Sequence, residues 1–153
     1  VRGYVSTVFG CPYEGDISVI AVDELCDQLF SYGIYEVSLG DTIGVANPLQ
    51  VERVLEHLLK KYDASQFAMH FHNTYGMALA NVVKSLEYGI TTFDSSCGGL
   101  GGCPYAPGAP GNVQASQVVN FLERQGIETG IDIDKLKNTD QMFQDMVKKQ
   151  TSV

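Results

Sequence analysis

Gly33-Ile34-Tyr35-Glu36-Val37-Ser38-Leu39-Gly40-Asp41 is the stretch that decides the fold. Ile34 to Leu39 is rich in β-branched and apolar residues and reads as a strand. Downstream, Asn47 followed by Pro48 is an N-cap and first-turn pair. Val51, Val54, Leu55 and Leu58 then recur at i, i+3, i+4 and i+7, the stripe of an amphipathic helix. Strand, polar loop and helix make one unit, and the same unit recurs on both sides. Upstream, Val1 to Phe9 is strand-like, a helix starting near Ser18 carries Val22, Leu25, Cys26 and Leu29, and Gly33 supplies its left-handed stop. Downstream, Phe67 to Phe71 precedes a helix bearing Leu79, Val82, Val83 and Leu86 and ending at Gly89. Ile90 to Ser95 is a fourth strand. It leads through a glycine-rich loop to a helix with Ala115, Val118, Val119 and Leu122, stopped at Gly126. Asp134 to Lys149 predicts a last helix.

Strict alternation of strand and helix predicts parallel strands joined by right-handed crossovers. Such a unit takes about 30 residues, and a (β/α)8 barrel uses about 250 residues for eight of them. The 153 residues therefore hold about four units, or half a TIM barrel. The alternative is a complete small doubly wound domain with an open sheet. Two short echoes support the repeat. Gly10-Cys11-Pro12-Tyr13 returns as Gly102-Cys103-Pro104-Tyr105, and Asp41-Thr42-Ile43-Gly44 is echoed by Asn73-Thr74-Tyr75-Gly76.

Composition narrows the function classes. The chain is 44% hydrophobic and 18% charged, ordinary for a globular protein, with a formal net charge of -8. That charge argues against nucleic acid as a partner, because phosphate backbones call for clustered Lys and Arg. No apolar run approaches the roughly 18 residues of a membrane span, so no membrane association is expected. The four cysteines, Cys11, Cys26, Cys97 and Cys103, lack zinc spacing and read as reduced thiols of a cytosolic or organelle-matrix protein. The chain opens on Val1 and already inside a strand, which is the expectation for a fragment of a longer protein.

The chemistry-bearing residues gather where the strands end. His70 and His72 are two apart, so on a strand they share a face and suit chelation of one metal ion. Carboxylate or amide oxygens added to them would favour Mg²⁺ or Mn²⁺ over zinc. Asp41 ends its strand either as an Asx-turn or N-cap residue or as a functional acid. Asn112 is either an N-cap or a metal ligand. Cys103 lies in Gly98-Gly99-Leu100-Gly101-Gly102-Cys103-Pro104-Tyr105, a loop able to approach a ligand closely and to carry an exposed thiol for acid–base or nucleophilic work. Cys26 reads as a buried small hydrophobe, Cys97 as strand-end packing, and His57 as a surface residue.

The stretch Ser96-Cys97-Gly98-Gly99-Leu100-Gly101-Gly102-Cys103-Pro104-Tyr105 resembles the active-site cysteine signature of the hydroxymethylglutaryl-CoA lyases. Val1 to Tyr13, Glu36 to Gly44, His70 to Gly76 and Gly108 to Asn112 match that family in order and spacing. The chain departs from it at Cys97 and Gly98, where the family usually has Val and Ala. The resemblance implies the C-terminal half of a (β/α)8 barrel, with residues 1–153 forming part of one domain whose N-terminal half is absent. It implies cleavage of 3-hydroxy-3-methylglutaryl-CoA to acetyl-CoA and acetoacetate, a step of leucine degradation and ketone-body formation. His70, His72 and Asn112 would be ligands of Mg²⁺ or Mn²⁺, Cys103 the catalytic cysteine, and Asp41 and His70 further acid–base groups. The family's fourth ligand, an Asp, and an adjacent catalytic Arg belong to its first barrel strand and have no counterpart here. Arg2 opens a different strand. The implied partner is an acyl-CoA substrate, and the implied full-length enzyme is a homo-oligomer, a dimer. The compartment would be the cytoplasm in a bacterium or the mitochondrial matrix in a eukaryote. Related barrel enzymes resemble the chain at His-x-His: isopropylmalate or homocitrate synthases and ketoacid aldolases. They usually follow it with Asn-Asp, where this chain has Asn73-Thr74, and they lack the Gly-Gly-Cys-Pro-Tyr loop. An inactive half-barrel assembly fragment is the reading from another class, and its two open sheet edges would lead it to self-associate.

Overall fold

The structure is a computed structural model that describes residues 1–102 and 111–150. Four strands, β1 (Arg2–Val5), β2 (Glu36–Asp41), β3 (Phe67–Phe71) and β4 (Thr92–Asp94), form one sheet in the order β1-β2-β3-β4. All three pairings are parallel. Helices α1 (Val19–Ser31), α2 (Pro48–Leu58) and α3 (Ala78–Glu87) cross between successive strands, and α4 (Ala115–Arg124) and α5 (Ile133–Gln150) follow β4. A parallel sheet in sequence order, with a helix crossing between each pair of successive strands, is the arrangement of half a barrel. The open doubly wound alternative fails on the strand order, which never reverses.

Local chemistry sets the boundaries. Ser18 caps α1 by accepting from the Ile20 N–H, and Asn47 closes a capping box with Gln50 at the start of α2. β1 stops at Val5, short of the Phe9 expected from its apolar run. Thr7 turns into the left-handed region at φ 58°, and a β-branched residue cannot continue a strand from there. Two bonds hold the bend: the Thr7 N–H donates to Thr42 Oγ1 (2.8 Å) and the Val8 N–H to Gly40 O (3.0 Å).

The core lies between the sheet and its helices. Val37, Leu39, Phe67, Met69 and Phe71 alternate toward α1–α3 and meet Cys26, Val51, Leu55, Leu58 and Val82. Two stripe positions differ from the sequence pattern: Leu25 and Val83 are exposed. In α3 the buried positions include Asn81 and Ser85 instead. Asn81 Nδ2 donates to Ala46 O (2.9 Å), and Ser85 Oγ donates to Asn81 O (2.8 Å). Each side chain thus donates to a carbonyl inside the core and α3 is tied to the turn after β2, while Asn81 Oδ1 is buried without a hydrogen-bond partner.

Candidate active site at the strand ends

The echo between Asp41-Thr42-Ile43-Gly44 and Asn73-Thr74-Tyr75-Gly76 is a repeat in three dimensions. In the first turn the Gly44 N–H donates to Asp41 O (3.2 Å) and the Ala46 N–H to Asp41 Oδ1 (3.1 Å). In the second the Gly76 N–H donates to Asn73 O (3.1 Å) and the Ala78 N–H to Asn73 Oδ1 (3.3 Å). Gly44 and Gly76 have φ of 72° and 77°, a conformation that favours glycine. The turns also touch: a Cβ on Gly44 would lie 2.5 Å from Thr74 Cβ.

His70 and His72 stand together at the end of β3, their ring centroids 5.4 Å apart. A short ribbon brings Asn112 to them. The Asn73 N–H donates to Gly111 O (2.8 Å) and the Val113 N–H to Phe71 O (3.3 Å), and His72 and Asn112 form an antiparallel bridge. On its other side the ribbon joins the chain after β4, where the Ser96 N–H donates to Val113 O (3.1 Å). Asn112 Nδ2 donates to Leu100 O (3.0 Å), which leaves its oxygen as the atom able to face a cation.

The electrostatics differ from residue to residue. Asp41 is buried, and burial pushes its carboxyl up to about 6 despite bonds from the backbone N–H groups of Ala46, Val45 and Gly44. Its Oδ2 is buried without a hydrogen-bond partner. Burial, and secondly the neighbouring His70, lowers the pKa of His72, which favours the neutral imidazole, the form that ligates metals. Asp94 was not singled out from the sequence, though it ends β4 as Asp41 ends β2. Burial alone would raise its carboxyl, but the neighbouring His70 and the hydrogen bonds from Arg2 and Ser38 outweigh that and hold it at about 2.

Several sequence expectations can be set beside these positions. His70, His72 and Asn112 come together, and Asp41 lies one strand away at the same end of the sheet. Asp41 serves the Asx turn, and its protonation is also shifted into the range of an acid–base group. Cys103 lies outside the described residues, as do Pro104 to Pro110; the loop is described as far as Gly102. Cys26 is buried as expected, and Cys97 is half-buried in a one-turn segment, Cys97–Gly99. His57 belongs to the outer surface, paired with Asp23 (3.0 Å) between α2 and α1.

A divalent metal fits this donor set. Two imidazoles stand side by side, Asn112 is paired with His72 across the bridge, and His72 Nδ1 is a buried nitrogen with no hydrogen-bond partner among the described residues. Among those residues no three His, Cys, Asp or Glu side chains form a metal-binding group. The cation would thus depend on the Asn112 oxygen and on ligands from outside the described residues.

The HMGL-like family model matches residues 3–143. A hydroxymethylglutaryl-CoA lyase of Bacillus subtilis (strain 168) is 57% identical over 135 residues, which are 88% of this chain and 45% of that protein. The mitochondrial hydroxymethylglutaryl-CoA lyase of Gallus gallus is 48% identical over 91% of this chain and 47% of its own length. The crystal structure of a Bacillus subtilis HMG-CoA lyase superposes with a TM-score of 0.93 at 53% identity, covering 95% of this chain and 49% of that one. The chain spans about half the length of the curated relatives it matches. Those relatives include bacterial and mitochondrial forms. Among the described residues no helix is long and apolar enough to cross a membrane.

Proposed function

The chain belongs to the HMGL-like family, and from that premise we propose that it contributes half of the active site of a carbon–carbon lyase that splits 3-hydroxy-3-methylglutaryl-CoA into acetyl-CoA and acetoacetate. The observation that carries this reading is the cluster of His70, His72 and Asn112 at the ends of the strands, drawn together by the ribbon from Gly111 to Val113. These three side chains would hold Mg²⁺ or Mn²⁺. When bound, the cation supplies Lewis acidity that polarises the substrate's tertiary hydroxyl and orients its carboxylate.

The chain's own groups handle the protons. Cleavage requires the tertiary hydroxyl to lose its proton and the departing acetyl-CoA enolate to gain one. Asp41, His70 and Cys103 are the acid–base candidates. A carboxyl raised to about 6 exchanges protons readily near neutrality, which suits Asp41 to this work. The capped turn around it keeps that carboxyl out of water. The glycine-rich loop that begins at Gly98 would bring the Cys103 thiol over the substrate. In the whole enzyme an acyl-CoA is the substrate and a homodimer the assembly we expect. The compartment would be the cytoplasm of a bacterium or the mitochondrial matrix of a eukaryote.

The test uses the full-length protein that carries this chain. Acetoacetate release from hydroxymethylglutaryl-CoA with Mg²⁺ or Mn²⁺ is compared with condensation of acetyl-CoA onto a 2-ketoacid. Cleavage is the expected result. Condensation without cleavage would assign the protein to the synthases. Cys103→Ala should lower turnover by about 10²–10⁴-fold while metal content stays intact. His72→Ala should lose the metal, and equal metal loss in both variants would contradict this division of roles.

A further inference from the structure

The inner face of the sheet carries a polar chain to which every strand contributes. Arg2 on β1 meets Glu36 on β2 (Nε to Oε1, 2.6 Å) and Asp94 on β4 (Nη1 to Oδ1, 2.8 Å). Asp94 Oδ2 accepts from Ser38 Oγ on β2 (2.8 Å) and lies 3.5 Å from His70 Nδ1 on β3. We propose that Asp94 is a positioning residue: it holds the His70 imidazole by Nδ1, fixing the tautomer whose free lone pair is on Nε2. The inference rests on reading His70 as a metal ligand.

A neutral imidazole has one N–H and one lone pair, and the partner of the first nitrogen decides what the second can do. A carboxylate beside Nδ1 can only accept, so it selects the Nδ1–H form. Asp94 cannot easily turn away, because Arg2 engages one oxygen and Ser38 the other. Nor does Arg2 neutralise it. Arg2 is shared with Glu36, so one positive charge faces two negative ones and a net negative charge remains beside His70. The 3.5 Å contact is long for a formed hydrogen bond, and contacts of this kind tighten when a site is loaded. His72 is the contrast. Its Nδ1 is buried with no hydrogen-bond partner among the described residues, so no acceptor beside that nitrogen presets its tautomer. The two histidines are therefore unequal, one preset by Asp94 and the other free to adapt.

The experiment is performed on the full-length protein that carries this chain. With ¹⁵N-histidine labelling in the metal-free protein, His70 should show the Nδ1–H tautomer. Asp94→Ala should convert it to a mixture or to the Nε2–H form. A wild-type His70 already in the Nε2–H form overturns the proposal with no variant needed. So does an Asp94→Ala protein that is folded by circular dichroism and keeps the wild-type tautomer. Titration with Mn²⁺ alone gives the second readout. Asp94→Ala should weaken binding about 10–100-fold, and Asp94→Asn, which keeps an acceptor oxygen, should recover part of it. Unaltered Mn²⁺ affinity in Asp94→Ala counts against the proposal. If His70→Ala and His72→Ala both bind Mn²⁺ as well as wild type does, the metal-site reading fails, a result distinct from failure of the tautomer prediction.

Discussion

Asp41 combines two demands that pull in opposite directions. Its carboxylate organises a turn through backbone N–H groups, yet burial disfavours the charge. Because the folded pKa of about 6 lies above the ordinary 3.8, the native state binds more protons than the unfolded chain between those pH values. Stability therefore falls as pH rises through that window. At ~1.4 kcal/mol per pH unit the loss is about 3 kcal/mol. Asp41→Asn keeps an acceptor for the Ala46 N–H and carries no charge, so its urea midpoint should stay flat over the interval where wild type declines. A parallel decline in the variant would place the effect on another group. Cys26 offers a second check at this scale. The thiol is fully buried, and burial, reinforced by Asp23 and Asp27, raises its pKa to about 12. Iodoacetamide at mild alkaline pH should label the half-buried Cys11 and Cys97 well before Cys26, with Cys26 following only on unfolding. The cysteine's burial was legible from its place on a helical stripe. The carboxyl's dual role was not, because the N–H groups that hold it come from the path of the backbone.

At the scale of elements, α5 has the most to lose from one substitution. Asp140 is almost wholly buried. Its Oδ1 accepts from the Gly98 N–H (2.7 Å) and its Oδ2 from Gln114 Nε2 (2.7 Å). One side chain thus joins α5, the root of the glycine loop and the start of α4. Gly98, one of the two departures from the family pattern, takes φ 66° at this junction, and a Cβ there would meet Asp140 O at 3.2 Å. Burial would raise the Asp140 carboxyl, but the bonds from Ser116, Gln114 and Gly98 outweigh it and lower the pKa. The clasp is therefore fully present above the ordinary carboxylate range and is lost as pH falls through the lowered folded value. Hydrogen exchange in α5 should accelerate at low pH, and Asp140→Ala should show the same acceleration at pH 7. Equal α5 protection in the variant and wild type at pH 7 would refute the clasp. Most elements were readable in the sequence because each apolar stripe and cap agreed on one helix. β1 and β4 came out shorter than their apolar runs, since a run of β-formers does not reveal where the backbone will bend.

For the whole molecule, the decisive property is that the sheet has two edges. Among the described residues β1 and β4 each pair on one side only. Beside β1 the exposed Tyr4, Leu25 and Tyr32 line a cavity of about 190 Å³ with Val5 and Leu29. Such a surface should draw copies of the chain together. Light scattering should show a mass that grows with concentration, and a monomer at every concentration would mean that the edges are protected. Removing core volume should act independently of this. Leu55→Ala, at a fully buried position between α2 and the sheet, should cost about 2–5 kcal/mol in urea unfolding.

The contact between the two matching turns has a mechanical consequence. Gly44 sits against Thr74, one residue from Asn73 and two from His72, so the two turns meet with no room for a side chain between them. Asp41 and the histidine pair ride on the two sides of that contact. A methyl group added at Gly44 would lie 2.5 Å from Thr74 Cβ and act as a wedge between the two turns, changing the spacing between acid and imidazoles without touching either.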